Sequence, residues 1–173
     1  VKKYKFKTEP FDHQRQALTD SWAAEYYALF MEMGTGKSKV AIDTIGILHM
    51  MDKIDAAFIV APKGVYDNWV KGEIPTHLPD HIDRQIMRWT PAITKRYQDE
   101  MWEFLFGEFR GMRIFVMNVE ALSTSRGTKA AVAFLQKFPD NMMIVDESTT
   151  IKNRKATRSK NILTLSNYAK YKR

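Results

Sequence analysis

The sequence contains no cysteine. That one absence excludes disulfides, thiolate metal centres and cysteine nucleophiles, and it suits a reducing cytosol. No apolar run approaches the ~20 residues that a membrane-spanning helix needs. The basic start, Val1-Lys2-Lys3-Tyr4-Lys5-Phe6-Lys7, is not followed by the apolar stretch of a secretory signal. Internal repeats and low-complexity tracts are also lacking. His13, His49, His77 and His81 show no ligand spacing with acids, so no histidine-bound metal is expected. The expectation is a soluble, intracellular, cytoplasmic protein without a membrane partner.

The 173 residues fit a single domain spanning 1–173. At that length a proper core is possible, and the 45% apolar content is ordinary for a globular chain. The formal net charge is +7. A basic surface favours polyanions, of which nucleic acid is the usual one, although surplus lysine also simply solubilises.

Short apolar runs alternate with helical patterns. Strands are expected at Tyr26-Tyr27-Ala28-Leu29-Phe30-Met31, at residues 56–60, at 84–89, at 112–117 and at 141–145. Helices are expected over 38–51, 63–71, 93–106, 127–138 and 154–170. Continuous apolar strands alternating with helices imply an α/β fold, with a mostly parallel sheet covered on both faces. Ligands bind such sheets beyond the carboxyl ends of the strands. The loops after Met31, Val60, Met117 and Val145 therefore matter most.

The first of these loops is Gly34-Thr35-Gly36-Lys37-Ser38. Glycines let a backbone turn tightly and approach phosphate oxygens. N–H groups at the start of the following helix point at the anion, and the helix dipole adds to them. Lys37 would reach the β- and γ-phosphates of a nucleoside triphosphate, and Ser38 would place its hydroxyl on magnesium. Met31 stands where the full phosphate-loop pattern has its first glycine. The bland alternative is a glycine-rich helix start with an exposed lysine.

Asp146-Glu147 closes the apolar run Met142-Met143-Ile144-Val145. An apolar strand ending in adjacent acids is the usual partner of a phosphate loop. Asp146 would hold the magnesium, and Glu147 would orient or deprotonate the attacking water. By itself such a pair is as often a solvated turn. Downstream of a phosphate loop in an alternating α/β chain, it points to triphosphate hydrolysis, with Lys37, Asp146 and Glu147 as the catalytic set.

Taken together, these segments resemble the Swi/Snf-like group of superfamily-2 helicases. Met31-Glu32-Met33-Gly34-Thr35-Gly36-Lys37-Ser38 is similar to that group's motif I, which also lacks the first glycine. Asp146-Glu147-Ser148-Thr149-Thr150-Ile151-Lys152-Asn153 resembles its acidic box followed by Ile-Lys-Asn, with Ser148-Thr149 in place of the common Ala-His. Phe11 to Leu18 resembles the upstream glutamine motif, in which Gln14 would read the adenine edge. Residues 59–69 resemble motif Ia, and Asn118 to Leu122 stands at motif Ib. The resemblance covers roughly residues 10–153.

The resemblance implies a P-loop, RecA-like three-layer sandwich that uses ATP and Mg2+ to move on double-stranded DNA. Gln14, Gly34, Thr35, Gly36, Lys37 and Ser38 would bind the nucleotide, Ser38 and Asp146 the metal, and Lys63, Asn68 and Asn118 the DNA backbone. Arg126 and Lys129 are weaker DNA candidates. The family pattern continues beyond the equivalent of Arg173 into a second RecA-like lobe bearing arginines, so the chain is expected to be the first lobe and a poor ATP hydrolase alone. Two alternatives stay open. One is a non-hydrolysing DNA-binding or regulatory module on the same scaffold. The other is a small phosphotransferase, which phosphorylation of a small acceptor would reveal. Trp69 reads as a packing residue. The aromatic run Trp102, Phe104, Phe106 and Phe109 reads as core or lobe surface. The basic stretch from Lys152 to Arg173 reads as a solvated helix face, a docking surface or a DNA contact.

Overall fold

The apolar run Ala56–Ala61 becomes a strand that is buried along its whole length. The computed structural model describes residues 4–32, 34–92, 94–146 and 156–173. Among them are five strands: β1 (Ala56–Ala61), β2 (Arg84–Arg88), β3 (Met112–Asn118), β4 (Asn141–Val145) and β5 (Tyr171–Lys172). They form one sheet in the order β2-β3-β1-β4-β5, and every pairing is parallel. The helices are α1 (Asp12–Ser21), α2 (Lys37–Met50), α3 (Tyr66–Asn68), α4 (Ile74–His77), α5 (Lys95–Phe106), α6 (Ser125–Lys137) and α7 (Thr157–Ser166). A π-helical turn, Trp69–Glu73, joins α3 to α4, and a 3₁₀ turn, Val119–Ser123, follows β3.

Side chains along a strand alternate between the two faces of a sheet. In β1, Ala56, Phe58 and Val60 join a core layer with Phe104, Phe115, Phe134 and Leu165, drawn from α5, β3, α6 and α7. Ala57, Ile59 and Ala61 join the opposite layer with Ile42, Ile45 and Leu48 of α2, Trp69, and Ile74 of α4. The sheet is thus dry on both faces along β1, which explains why that strand reads as an unbroken apolar run.

α2 is covered on nearly every side rather than along one stripe. A β-carbon at Gly46 would press on the Tyr4 ring, so the N-terminal segment lies directly on this helix. The helix stops as Asp52 turns left-handed (φ +54°) and the Lys53 N–H returns to the Leu48 carbonyl at 2.9 Å.

Three expectations need correction. Tyr26–Met31 is not a strand. It makes one parallel bridge, Tyr26 to Lys172, with hydrogen bonds on either side of it (Lys172 N–H to Glu25 O, 2.7 Å; Tyr27 N–H to Lys172 O, 3.1 Å). β5 offers only two paired residues, so the segment beyond Tyr27 has no ladder to join, and Phe30 is 96% exposed. Second, the helix expected over 63–71 begins at Tyr66 and runs through the π-helical turn to His77. Third, the basic C-terminal stretch is not one helix to residue 170. α7 ends at Ser166, and the chain then returns to the sheet as β5. There Lys170 pairs with Asp140 at 2.6 Å, Lys172 lies 4.1 Å over the Tyr26 ring, and Arg173 donates to the Ser21 carbonyl at 2.6 Å. These three cations hold the fold together instead of forming a free basic face. Lys152, Arg154 and Lys155 lie outside the described residues.

Candidate functional site

A loop that approaches an anion closely needs torsions that side chains resist. Gly34 (φ +78°) and Gly36 (φ +82°) supply them, both in the left-handed region. Between them, the Thr35 hydroxyl donates to the Glu32 carbonyl at 2.6 Å and closes the turn. Gly36 caps α2, and Lys37 is the first helical residue, with Ser38 half-buried behind it. The loop therefore ends where first-turn N–H groups lack partners within the helix. The Lys37 ammonium folds back over the loop and donates to the carbonyls of Met31 and Glu32, 3.0 Å each. Met33 lies outside the described residues.

α1 grips this loop from the side. Gln14 is 5% exposed, and its Nε2 donates to the Thr35 carbonyl at 3.0 Å while its Oε1 accepts from the Phe11 N–H at 3.0 Å. A β-carbon at Gly36 would fall inside the contact distance of that Nε2. His13 Nε2 also lies 3.0 Å from the Thr35 carbonyl. The family resemblance assigns Gln14 to the adenine edge and gives His13 no role. In the structure both side chains converge on one loop oxygen. No periodicity marks His13 in the sequence; only its place beside Gln14 in the same turn could have suggested it.

One turn further along α2, Lys39 and Asp43 form a buried ion pair at 2.8 Å. Lys39 also donates to the Thr8 carbonyl (2.8 Å) and lies over the Phe6 ring, while the Tyr4 hydroxyl donates to the other Asp43 oxygen (2.9 Å). Burial pushes the Asp43 carboxyl up, and the Lys39 ammonium opposes that shift. Burial also pushes the Tyr4 phenol up. Lys7 reaches Asp80 at 2.5 Å and the Pro75 carbonyl at 2.8 Å, and the Thr8 hydroxyl meets His77 Nδ1 at 2.7 Å. The first described residues thus strap the back of the loop-bearing helix to α4 and its following turn.

Asp146 stands at the carboxyl end of β4. Its N–H donates to the Val60 carbonyl of β1 at 2.8 Å. The chain leaves β1 for one side of the sheet and returns to the other side as β4, so the ends of these two strands flank a topological switch point. That is where parallel sheets place their ligands. Asp146 Oδ2 accepts a hydrogen bond from the indole N–H of Trp69 at 2.8 Å. Glu147 and the rest of its motif, Ser148 to Asn153, lie outside the described residues. Among the described residues no three His, Cys, Asp or Glu side chains cluster as a metal site.

Of the residues named for DNA, Lys63 and Asn118 sit at or just beyond strand ends, and Asn68 closes α3. Lys63 is exposed in the turn after β1. Asn68 is exposed, with its amide on Glu73 Oε1 at 3.1 Å, and Asn118 ends β3 with its amide on Glu120 Oε2 at 3.0 Å. Ala61 and Asn118 are register partners, which sets the loops after β1 and β3 side by side. Arg126 is held by the Pro91 carbonyl and the Trp89 ring, whereas Lys129 lines an open cleft of about 600 Å³ with Thr124, Thr128 and Asn161. The aromatic run divides: Phe104 is core, while Trp102 and Phe106 are 62% and 54% exposed.

A family model described as an SNF2-related domain matches residues 23–171. The chain is 26% identical over 156 residues to the chromatin-remodeling ATPase INO80 of Debaryomyces hansenii, an alignment that covers 84% of this chain and 11% of that protein. In fold it is similar to the SWI2/SNF2 ATPase core of Sulfolobus solfataricus, solved in complex with double-stranded DNA. That likeness has a TM-score of 0.65 at 14% identity and covers 99% of this chain and 32% of the other. The chain therefore spans about a tenth of the curated relative and a third of the solved core.

Proposed function

Because the chain belongs to the SNF2-related domain family, we propose that it is the first RecA-like lobe of a Swi/Snf-like motor. The lobe binds ATP with magnesium and, joined to a second lobe of the same polypeptide, couples hydrolysis to movement on double-stranded DNA. The observation that carries this reading is the pairing of two features. The loop Gly34–Ser38 opens α2, and Asp146 stands at the switch point between β1 and β4.

The residues fit the group they would hold. Two left-handed glycines and the free first turn of a fourteen-residue helix make a cradle for phosphate oxygens. A side chain at Gly36 would collide with the Gln14 amide that holds the loop. Lys37 would exchange its two carbonyl partners for β- and γ-phosphate oxygens. The Ser38 hydroxyl and the Asp146 carboxylate are the hard oxygen donors that magnesium prefers. When bound, the magnesium supplies charge neutralisation along the phosphates. Glu147, the residue after Asp146, is the proposed base or orienter of water. Gln14 would hold the loop and offer the remaining N–H of its amide toward the base. Lys63, Asn68 and Asn118 would meet DNA phosphates, a sequence-independent and salt-sensitive contact. A motor of this type acts inside the cell, on DNA.

A titration of ATP with magnesium into the 173-residue chain tests the reading. Weak but measurable binding is expected, lost in Lys37→Ala, with poor turnover. DNA-stimulated hydrolysis at the rate of a complete two-lobed motor would contradict the one-lobe assignment. The regulatory-module alternative draws on Lys37 being already bonded to two loop carbonyls. Nucleotide binding that is unchanged in Lys37→Ala would favour it.

A further inference from the structure

Trp69 has two different environments. Its ring is 1% exposed in the core layer that contains Ile59, Ile74, Leu78 and Ile144. Its single polar atom leaves that layer and donates to Asp146 Oδ2 at 2.8 Å. A buried indole N–H needs an acceptor, and backbone carbonyls are the common ones. Here the acceptor is the carboxylate read above as the magnesium ligand.

The geometry fixes Asp146 twice from the same flank. Its backbone N–H is held by Val60 in β1. Its side chain is held by Trp69, further along the segment that leaves β1. A carboxylate tied at one oxygen loses most of its rotational freedom and presents the other oxygen in a set direction. Trp69 also opens the π-helical turn Trp69–Glu73, in which the Ile74 N–H reaches back to the Trp69 carbonyl. Such a turn carries one extra residue and re-aims the side chains around it, and it recurs at functional sites. Helix geometry has been altered at the residue that reaches the carboxylate.

We propose that Trp69 is a positioning residue for Asp146: its indole N–H locks the carboxylate so that Oδ1 faces the divalent cation of the bound nucleotide. The inference rests on the reading of Asp146 as the metal-side carboxylate. A residue that orients a metal ligand typically changes metal affinity about 10–100-fold when it is lost. Trp69→Phe keeps an aromatic ring in the core and removes only the donor and part of the ring volume. The magnesium concentration needed for half-maximal ATP binding should rise about tenfold in this variant. ATP binding measured in EDTA should stay as it is.

The test uses the 173-residue chain. Its four tryptophans give four indole N–H resonances, and the Trp69 signal is the one absent in Trp69→Phe. That signal should move in Asp146→Asn and again when magnesium is added to the ATP-bound chain. A Trp69→Phe protein that is folded and has an unchanged magnesium requirement overturns the proposal. So does an indole signal that ignores Asp146→Asn. Should Trp69→Phe fail to fold, the four signals are assigned by sequential resonance assignment, and the Trp69 response to Asp146→Asn and to magnesium in the unmodified chain decides. Asp146→Ala separates the two levels of the argument. If it leaves the magnesium requirement unchanged, the metal role of Asp146 falls and the Trp69 proposal with it. If it raises the requirement while Trp69→Phe does not, only the positioning role falls.

Discussion

Gly36 leaves the space that the Gln14 amide occupies, so α1 and the last glycine of the Gly34–Ser38 loop are fitted to each other. Gly34 differs: it shares the left-handed torsion, but a β-carbon there would meet nothing within 4 Å.

The two glycines should therefore respond unequally to alanine. Gly34→Ala carries only the left-handed strain, about 1 kcal/mol. Gly36→Ala adds a collision with Gln14 and should lower both stability and nucleotide affinity further. Shortening the partner, in Gly36→Ala with Gln14→Ala, should recover part of the stability. Chemical melts of the three variants check this, and equal losses for Gly34→Ala and Gly36→Ala would count against the fit.

The buried pair Lys39–Asp43 should behave as a unit. Lys39→Met alone leaves a buried carboxylate with only the Tyr4 hydroxyl and should cost about 3 kcal/mol. Lys39→Met combined with Asp43→Leu removes the stranded charge and should cost less than the sum of the two single changes. A double-mutant cycle measured by urea unfolding gives the comparison.

Protonation of His77 should oppose folding. Burial, and after it the Lys39 ammonium, hold this imidazole below its ordinary value of 6.5, although Glu73 and Asp43 pull the other way. The native protein thus keeps His77 neutral where the unfolded chain accepts a proton. Stability from this group is complete above about pH 6.5 and declines as the pH falls through the window below it. Asp43, raised by burial, contributes with the opposite sign, so the His77 part is isolated by difference. Thermal melts of the parent chain and His77→Asn between pH 5 and 7.5 should show a flatter profile for the variant.

Phe134 is the shared neighbour in the aromatic core, with Phe58, Phe104, Phe115 and Phe138 rings all 5.2–6.3 Å away. Phe134→Ala should cost about 3–5 kcal/mol. Phe106→Ala, at an exposed ring on α5, should stay within about 1 kcal/mol. Guanidinium unfolding of each variant measures the contrast.

The central strands were legible because a strand buried on both faces is nearly all apolar: Ala56–Ala61 is continuously so, and Met112–Met117 is broken only by Arg113, whose guanidinium donates to the carbonyls of Phe104, Gly107 and Phe109. The loop was legible because glycine takes a positive φ without the strain that a side chain adds, and both Gly34 and Gly36 do so. Tyr26–Met31 misled because aromatic and aliphatic residues fit a strand locally, while strand formation also requires a neighbour, and β5 reaches only to Lys172. β5 itself was hidden inside a basic, helix-compatible stretch; Tyr171 and Lys172 are too few to show a period. α1 escaped notice as a helix since it turns a polar face outward and buries Gln14, Leu18 and Ser21, only one of them apolar. At the site, the sequence could name Gln14, Lys37 and Asp146 by type. It could not show that His13 and Trp69 reach them, because both contacts depend on how separate segments fold together.

The family match begins at residue 23, yet Tyr4, Thr8 and Gln14 cover one side of the helix and loop that the match treats as its own. Expressing residues 23–171 alone would uncover the Lys39–Asp43 pair to water and release the Thr35 carbonyl from both of its side-chain partners. The alignment boundary and the cooperative folding unit are therefore different objects, and a shortened clone designed from the former would report on a loosened pocket.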